Sequence, residues 1–209
     1  MTDAYRTVAD RAEASFEVQG SEFIGYIAPA DTVEEAEAFV DEIRELHPDA
    51  THNVPAYRVP AGEASSRRAP GEVMLREYQS DDGEPTGSSG KPALNVLVQQ
   101  DIRNVVVVVT RYYGGTNLGV GGLARAYSRA VKEAVDAAGV VEELPHERFG
   151  VVAEYDDSGT VRGILESAGV EFDAAYEADV RFEVRVPIDE ADELRDRLRS
   201  ATSGRVEIE

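Results

Sequence analysis

Residues 105–127 read VVVVVTRYYGGTNLGVGGLARAY, and no other stretch limits the fold as strongly. Val105–Val109 is the longest unbroken apolar run in the chain. A membrane-spanning helix needs about twenty such residues, so this run reads as a fully buried strand, Arg103–Thr110. A bend holding five glycines follows: Gly114, Gly115, Gly119, Gly121 and Gly122. Leu123, Ala126, Tyr127, Ala130, Val131, Ala134 and Val135 then recur at helical spacing, predicting a helix from about Gly122 to Ala138 that Gly139 stops.

Glycine lets backbone approach a ligand closely, and amides at a helix start favour anions. The bend is not a Walker loop. Gly114 and Gly119 have the spacing, but Val120-Gly121 stands where Lys-Ser/Thr should follow, and there is no G-x-G-x-x-G. Glycines serving only tight turns and close packing are an equally good reading.

Charge separates this stretch from the rest. The chain of 209 residues has 41 acidic and 21 basic side chains, a net charge of −20, yet no acid falls between Ile102 and Lys132. Arg125, Arg129 and Lys132 lie three to four residues apart, on one helix face, with Tyr112, Tyr113 and Tyr127 near in sequence. Cations with aromatics suit phosphate and stacked bases; arginines paired with surface acids are the plainer alternative. Only Lys91 and Lys132 are lysines. Acid excess with so little lysine fits a protein working in concentrated salt, so net charge does not exclude nucleic acid.

Absence of cysteine rules out disulfides, thiolate nucleophiles and cysteine-held metals. No apolar stretch resembles a signal peptide, which predicts a soluble cytoplasmic protein with no membrane partner. No cofactor is expected.

Two segments follow different logic, 1–144 and 147–209. In the second, strands at Arg148–Tyr155, Val170–Tyr176, Asp179–Pro187 and Arg205–Ile208 alternate with helices at Thr160–Ala168 and from Asp189, as cap, through Arg199. The order β-α-β-β-α-β is the ferredoxin-like split unit. In the first, Ser15–Val18 and Glu22–Ala28 form a hairpin. Thr32 and Glu35 form a capping box for a helix turning Val33, Ala36, Phe39, Val40, Ile43 and Leu46 inward. Thr51–Val59 and Val73–Tyr78 are strands around a surface loop, Pro60–Glu72, and Pro92 suits the first turn of a short helix.

Two further stretches could carry chemistry. Asp81-Asp82-Gly83-Glu84 places three carboxylates in four residues, enough to hold Mg²⁺, but the spacing is not that of an EF-hand and the residues also form turns. The turn reading is preferred and no metal is expected. His52 could serve as a general base. No motif supplies a nucleophile beside it, so a histidine bonded within the fold is the better reading.

These stretches together resemble the YigZ/Impact family. His52-Asn53 with Ala56-Tyr57, Asp81–Pro85 with Gly87-Ser88-Ser89-Gly90-Lys91-Pro92, and Val109–Gly115 with Leu118–Tyr127 match its three motifs in order. The resemblance implies an α+β chain: an N-terminal ribosomal-protein-like domain with a mixed sheet and helices on one face, and a C-terminal ferredoxin-like domain similar to the last domain of elongation factor G. It also implies a link to translation, since the eukaryotic Impact protein is tied to control of initiation under amino-acid stress. Asn117 stands where the family usually has lysine, and Glu22 where a basic residue is common.

The leading expectation is a translation-associated binding protein that contacts RNA or the ribosome, with a further protein partner possible. Its surface would be Arg111, Tyr112, Gly114, Gly115, Gly121, Gly122, Arg125 and Arg129, with arginine, offered at Arg111, Arg125 and Arg129, supplying most of the anion contact. The alternative is a hydrolase using His52 with the Asp81-Asp82-Glu84 loop. That alternative requires His52 and Glu84 to share a cleft. Oligomeric state is not legible.

Overall fold

The structure, a computed structural model, describes residues 4–61 and 73–209. Most of the expected loop Pro60–Glu72 lies outside them. In chain order the elements are β1 (Tyr5–Val8), β2 (Ala12–Val18), β3 (Ser21–Pro29), α1 (Val33–Leu46), β4 (His52–Pro60), β5 (Leu75–Gln79), α2 (Gly90–Gln99), β6 (Val105–Tyr112), α3 (Gly119–Ala138), β7 (Val140–Glu143), β8 (His146–Ala153), α4 (Tyr155–Ala168), β9 (Glu171–Tyr176), β10 (Val180–Pro187), α5 (Ile188–Ala201) and β11 (Glu207–Ile208). Two compact units hold them, Tyr5–Glu143 and Leu144–Glu209. The chain is α+β throughout.

The first unit is built on the valine strand. β6 is central in a five-stranded sheet of order β2-β3-β6-β4-β5. Its valines are at most 1% exposed, and alternate ones enter different clusters. Val105, Val107 and Val109 pack with Ala93 and Leu97 of α2 and Tyr127, Ala130 and Val131 of α3. Val106 and Val108 pack with Ala36, Phe39, Val40 and Ile43 of α1. Each buried valine contributes about 1.5–3 kcal/mol of apolar burial.

Two details of the expected sheet are corrected by this arrangement. A strand apolar on both faces must be covered on both, so helices stand on either side of the sheet rather than on one face. The sheet is also not mixed: all its strand pairs are antiparallel. A hairpin joins β2 to β3; α1 carries the chain from β3 to a parallel β4 with β6 between them, and α2 carries it from β5 to a parallel β6 with β4 between them.

Thr32 does cap α1, its hydroxyl accepting from Glu35 N, while the Glu35 carboxylate reaches back to Asp31 N at 2.8 Å. Leu46, expected inward, is 61% exposed. A two-stranded antiparallel sheet, β1 with β7, was not foreseen; each strand is four residues long.

In the second unit the strand order is β11-β8-β10-β9, all antiparallel, as the split unit requires. Phe182, Val184 and Val186 of β10 pack with Val161 and Leu165 of α4 and Leu194 and Leu198 of α5. α4 begins at Tyr155, five residues before the expected start, and takes in Gly159. Asp156 and Asp157 in its first turn favour the positive helix end, and Arg205 grips the Asp157 carboxylate with two bonds of 2.7 Å. Asp189 lies inside α5 rather than capping it; Pro187 occupies the cap position.

Candidate functional site

Strand register brings the separated motifs together. In the central strands His52 of β4 and Phe23 of β3 both stand opposite Arg111 of β6. Arg111 follows Val109 onto the α3 side of the sheet, where α3 places Tyr127. The turn after β5 sends Glu84 into the same space.

Arg111 is therefore not a surface residue. Its side chain is 5% exposed and that of Glu84 is 3%, and Nη1 donates to Glu84 Oε1 at 2.6 Å. Tyr127 donates its hydroxyl to the same oxygen at 2.8 Å. Burial, and then the neighbouring Glu84 charge, push the Tyr127 hydroxyl far above its usual pKa, so it remains a proton donor. Arg111 Nη2 donates to Ser21 Oγ at 3.3 Å, and that oxygen also accepts from Gly114 N at 3.1 Å. The expected anion-contacting guanidinium is instead a buried cation with a buried counter-charge.

His52 lies at the edge of this cluster. Its Nε2 is 3.8 Å from Glu84 Oε1. Its Nδ1 is 2.7 Å from the Asp82 carbonyl, which only accepts, so the proton is on Nδ1 in the neutral ring. His52 and Glu84 thus share a site, as the hydrolase alternative requires.

The three loop carboxylates point at different partners. Asp81 accepts from Gly87 N at 2.7 Å, Ser89 Oγ at 2.8 Å, Gly90 N at 2.9 Å and Ser89 N at 3.2 Å. Burial alone would raise its pKa; these bonds outweigh burial and hold it below the usual value. Asp82 Oδ2 accepts from Asn53 N at 2.6 Å. Among the described residues no group of three His, Asp or Glu side chains is placed to hold a metal ion.

Tyr112 is separated from Arg111 by the sheet itself. Successive strand residues face opposite sides, so Tyr112 points toward the α1 side and its hydroxyl lies 2.7 Å from His47 Nδ1. Of the bend glycines, Gly114 has a steric reason: a Cβ there would meet the Gly20 backbone at 1.9 Å. Gly115 adopts φ 86°. Gly121 and Gly122 lie in the first turn of α3, which begins at Gly119 and has no acidic residue and no capping side chain.

Arg125 and Arg129 do lie on the exposed side of α3, with Lys132. They border a shallow depression of ≈ 640 Å³ whose remaining lining is Ala124, Ser128 and Glu133. Arg129 Nε pairs with Glu133 at 2.6 Å and its guanidinium covers the Phe16 ring at 4.0 Å. Arg125 and Lys132 have no ion-pair partner among the described residues. Lys91 belongs to a different helix, α2. It is exposed in the first turn of α2, next to Pro92, whose carbonyl accepts from Ser128 Oγ of α3 at 3.4 Å.

Comparison with known proteins places these residues in context. Residues 19–135 match the Impact N-terminal domain, and residues 151–205 match a domain of unknown function, DUF1949. The IMPACT family member YvyE of Bacillus subtilis is 33% identical over 100% of this chain and 91% of its own length. The chain belongs to the IMPACT family. The family member YigZ of Escherichia coli is 32% identical over 92% of this chain and 90% of its own. A crystal structure of a hypothetical protein is similar along 100% of this chain and 97% of its own, with 30% identity and a TM-score of 0.67. The stretches that suggested the IMPACT family from sequence are those that meet at Glu84. Among the described residues no helix is long and apolar enough to cross a membrane.

Proposed function

We propose that this IMPACT-family chain is a translation-associated binding protein of the cytoplasm that engages RNA, free or on the ribosome, through the exposed side of α3. The observation that carries this reading is the pair Arg125 and Lys132. In a chain of net charge −20 they are exposed and without ion-pair partners among the described residues. They flank the small side chains Ala124 and Ser128, a floor over which a sugar–phosphate backbone fits, with Arg129 at its edge. Arginine and lysine in such a groove contact phosphate directly. Membership of the IMPACT family supplies the link to translation.

In this reading Arg111 and Glu84 are structural supports. They tie the loop 81–90 and the glycine bend to the sheet beneath α3. The hydrolase alternative gains proximity from the 3.8 Å between His52 and Glu84, but the nearer carboxylate oxygen already accepts from Arg111 and Tyr127. Co-sedimentation with ribosomes and crosslinking to RNA in high salt test the proposal. Binding by the wild type that is lost on reversing Arg125 and Lys132 supports it; absence of both signals sinks it.

A further inference from the structure

The other side of the same sheet has an open half. α1 packs chiefly over β4 and β6, while α3 covers β2 and β3 from the opposite side. On the α1 side of the β2–β3 hairpin, Ile24 and Tyr26 are half-buried, and Glu13, Ser15 and Glu17 are exposed. Leu46 completes the apolar stripe of α1 but stands largely in solvent. With Tyr26, Phe39, Glu13 and Glu42 it lines a cleft of ≈ 180 Å³.

The floor of this surface is held in place. His47, just beyond α1, contacts the Tyr26 hydroxyl through Nε2 and the Tyr112 hydroxyl through Nδ1, both at 2.7 Å. A neutral imidazole donates once and accepts once, so one tyrosine donates to it and the other accepts. Two rings fixed in this way lose little further freedom when something covers them.

The charge on this surface is unbalanced. Glu17 and Glu22 are direct cross-strand partners, an arrangement that destabilises a ladder, and neither has an ion-pair partner among the described residues. Burial, then Glu13, Tyr112 and Glu22, raise the pKa of the Tyr26 hydroxyl. Arg11, which also lines the cleft, is held by Glu42 at 2.6 Å and lies over the Phe39 ring.

We propose that the open α1 side of the β2–β3 hairpin docks a positively charged protein segment rich in arginine. Its guanidinium groups pair with Glu17 and Glu22, and its aliphatic stems cover Ile24, Tyr26 and Leu46. Arginine suits both demands, joining a planar fork for carboxylate to an apolar stem. Phosphate is repelled here, so the first unit offers opposite charge on the two sides of one sheet. This inference does not rest on the RNA reading of α3.

An NMR titration of the full chain with an oligoarginine peptide, in about 1 M salt to screen diffuse attraction, tests it. Shifts should concentrate on Ile24, Tyr26, Leu46 and Tyr112. Glu17→Lys with Glu22→Lys should weaken binding by about five- to tenfold, the size expected for two exposed ion pairs. Glu17→Gln with Glu22→Gln should weaken it less while melting no lower than wild type, separating binding from folding. No binding, shifts scattered over acidic surfaces elsewhere, or unchanged affinity in both variants overturns the proposal. So does self-association of the wild type that Glu22→Lys abolishes, which would make a second copy the occupant.

Discussion

Arg111 and Glu84 are 27 residues apart in sequence and 2.6 Å apart in the fold, and almost no water reaches either side chain. A buried pair of this kind is sensitive to loss of one partner, because the survivor is left as an uncompensated charge. Glu84→Gln preserves shape but strands Arg111. We expect it to lower stability by about 3–5 kcal/mol, measured as a shifted denaturant midpoint in molar salt. Replacing both, Glu84→Leu with Arg111→Met, should cost less than the two single changes summed. Additive costs would mean the pair contributes no coupling.

Asp81 gives a prediction with a defined pH sign. Its folded pKa lies below the ordinary 3.8. The stabilisation is therefore fully present above about pH 4 and is lost as pH falls through the folded value. Asp81→Asn should cost about 0.5–2 kcal/mol at neutral pH, the range for a lost helix-capping side chain. The gap from wild type should narrow below pH 4 in thermal melts. A gap that stays constant from pH 7 to pH 3 would show that the charge plays no part.

Salt should stabilise this chain rather than weaken it. With 41 acids against 21 bases, self-repulsion opposes folding, and raising salt from about 0.1 to about 1 M shortens the Debye length from about 10 to about 3 Å. The melting temperature should climb steadily over that range in potassium chloride. A flat or falling curve would refute the high-salt reading of the lysine-poor composition.

The two units should fold separately. Each has its own apolar cluster, and each of their sheets closes within its own segment. Fragments 5–143 and 144–209 should each give a cooperative melt in molar salt. A fragment that melts without a transition would contradict the division near Leu144.

Much of this fold was legible because its signals are local. The valine run located the central strand, Thr32 and Glu35 located a helix start, and the β-α-β-β-α-β order located the second unit. What escaped was long-range. No pattern within β6 reveals that Arg111 meets Glu84, since burial of an arginine depends on which loop folds over it. Alternation along a strand did imply that Arg111 and Tyr112 must part, yet their adjacency in sequence suggested one surface. The short strands β1 and β7 carry too few residues for a periodic signal.

The central claim is that α3, and not the bend arginine, carries the contact with nucleic acid. Fluorescence anisotropy with a labelled single-stranded RNA in about 1 M salt is the direct measurement, since diffuse attraction is largely screened there. Arg125→Glu with Lys132→Glu should weaken binding about tenfold or more without lowering the melting temperature. Glu84→Gln, at a temperature where it remains folded, should bind as the wild type does. A wild type that binds no RNA, or a double variant that binds it unchanged, would contradict the account.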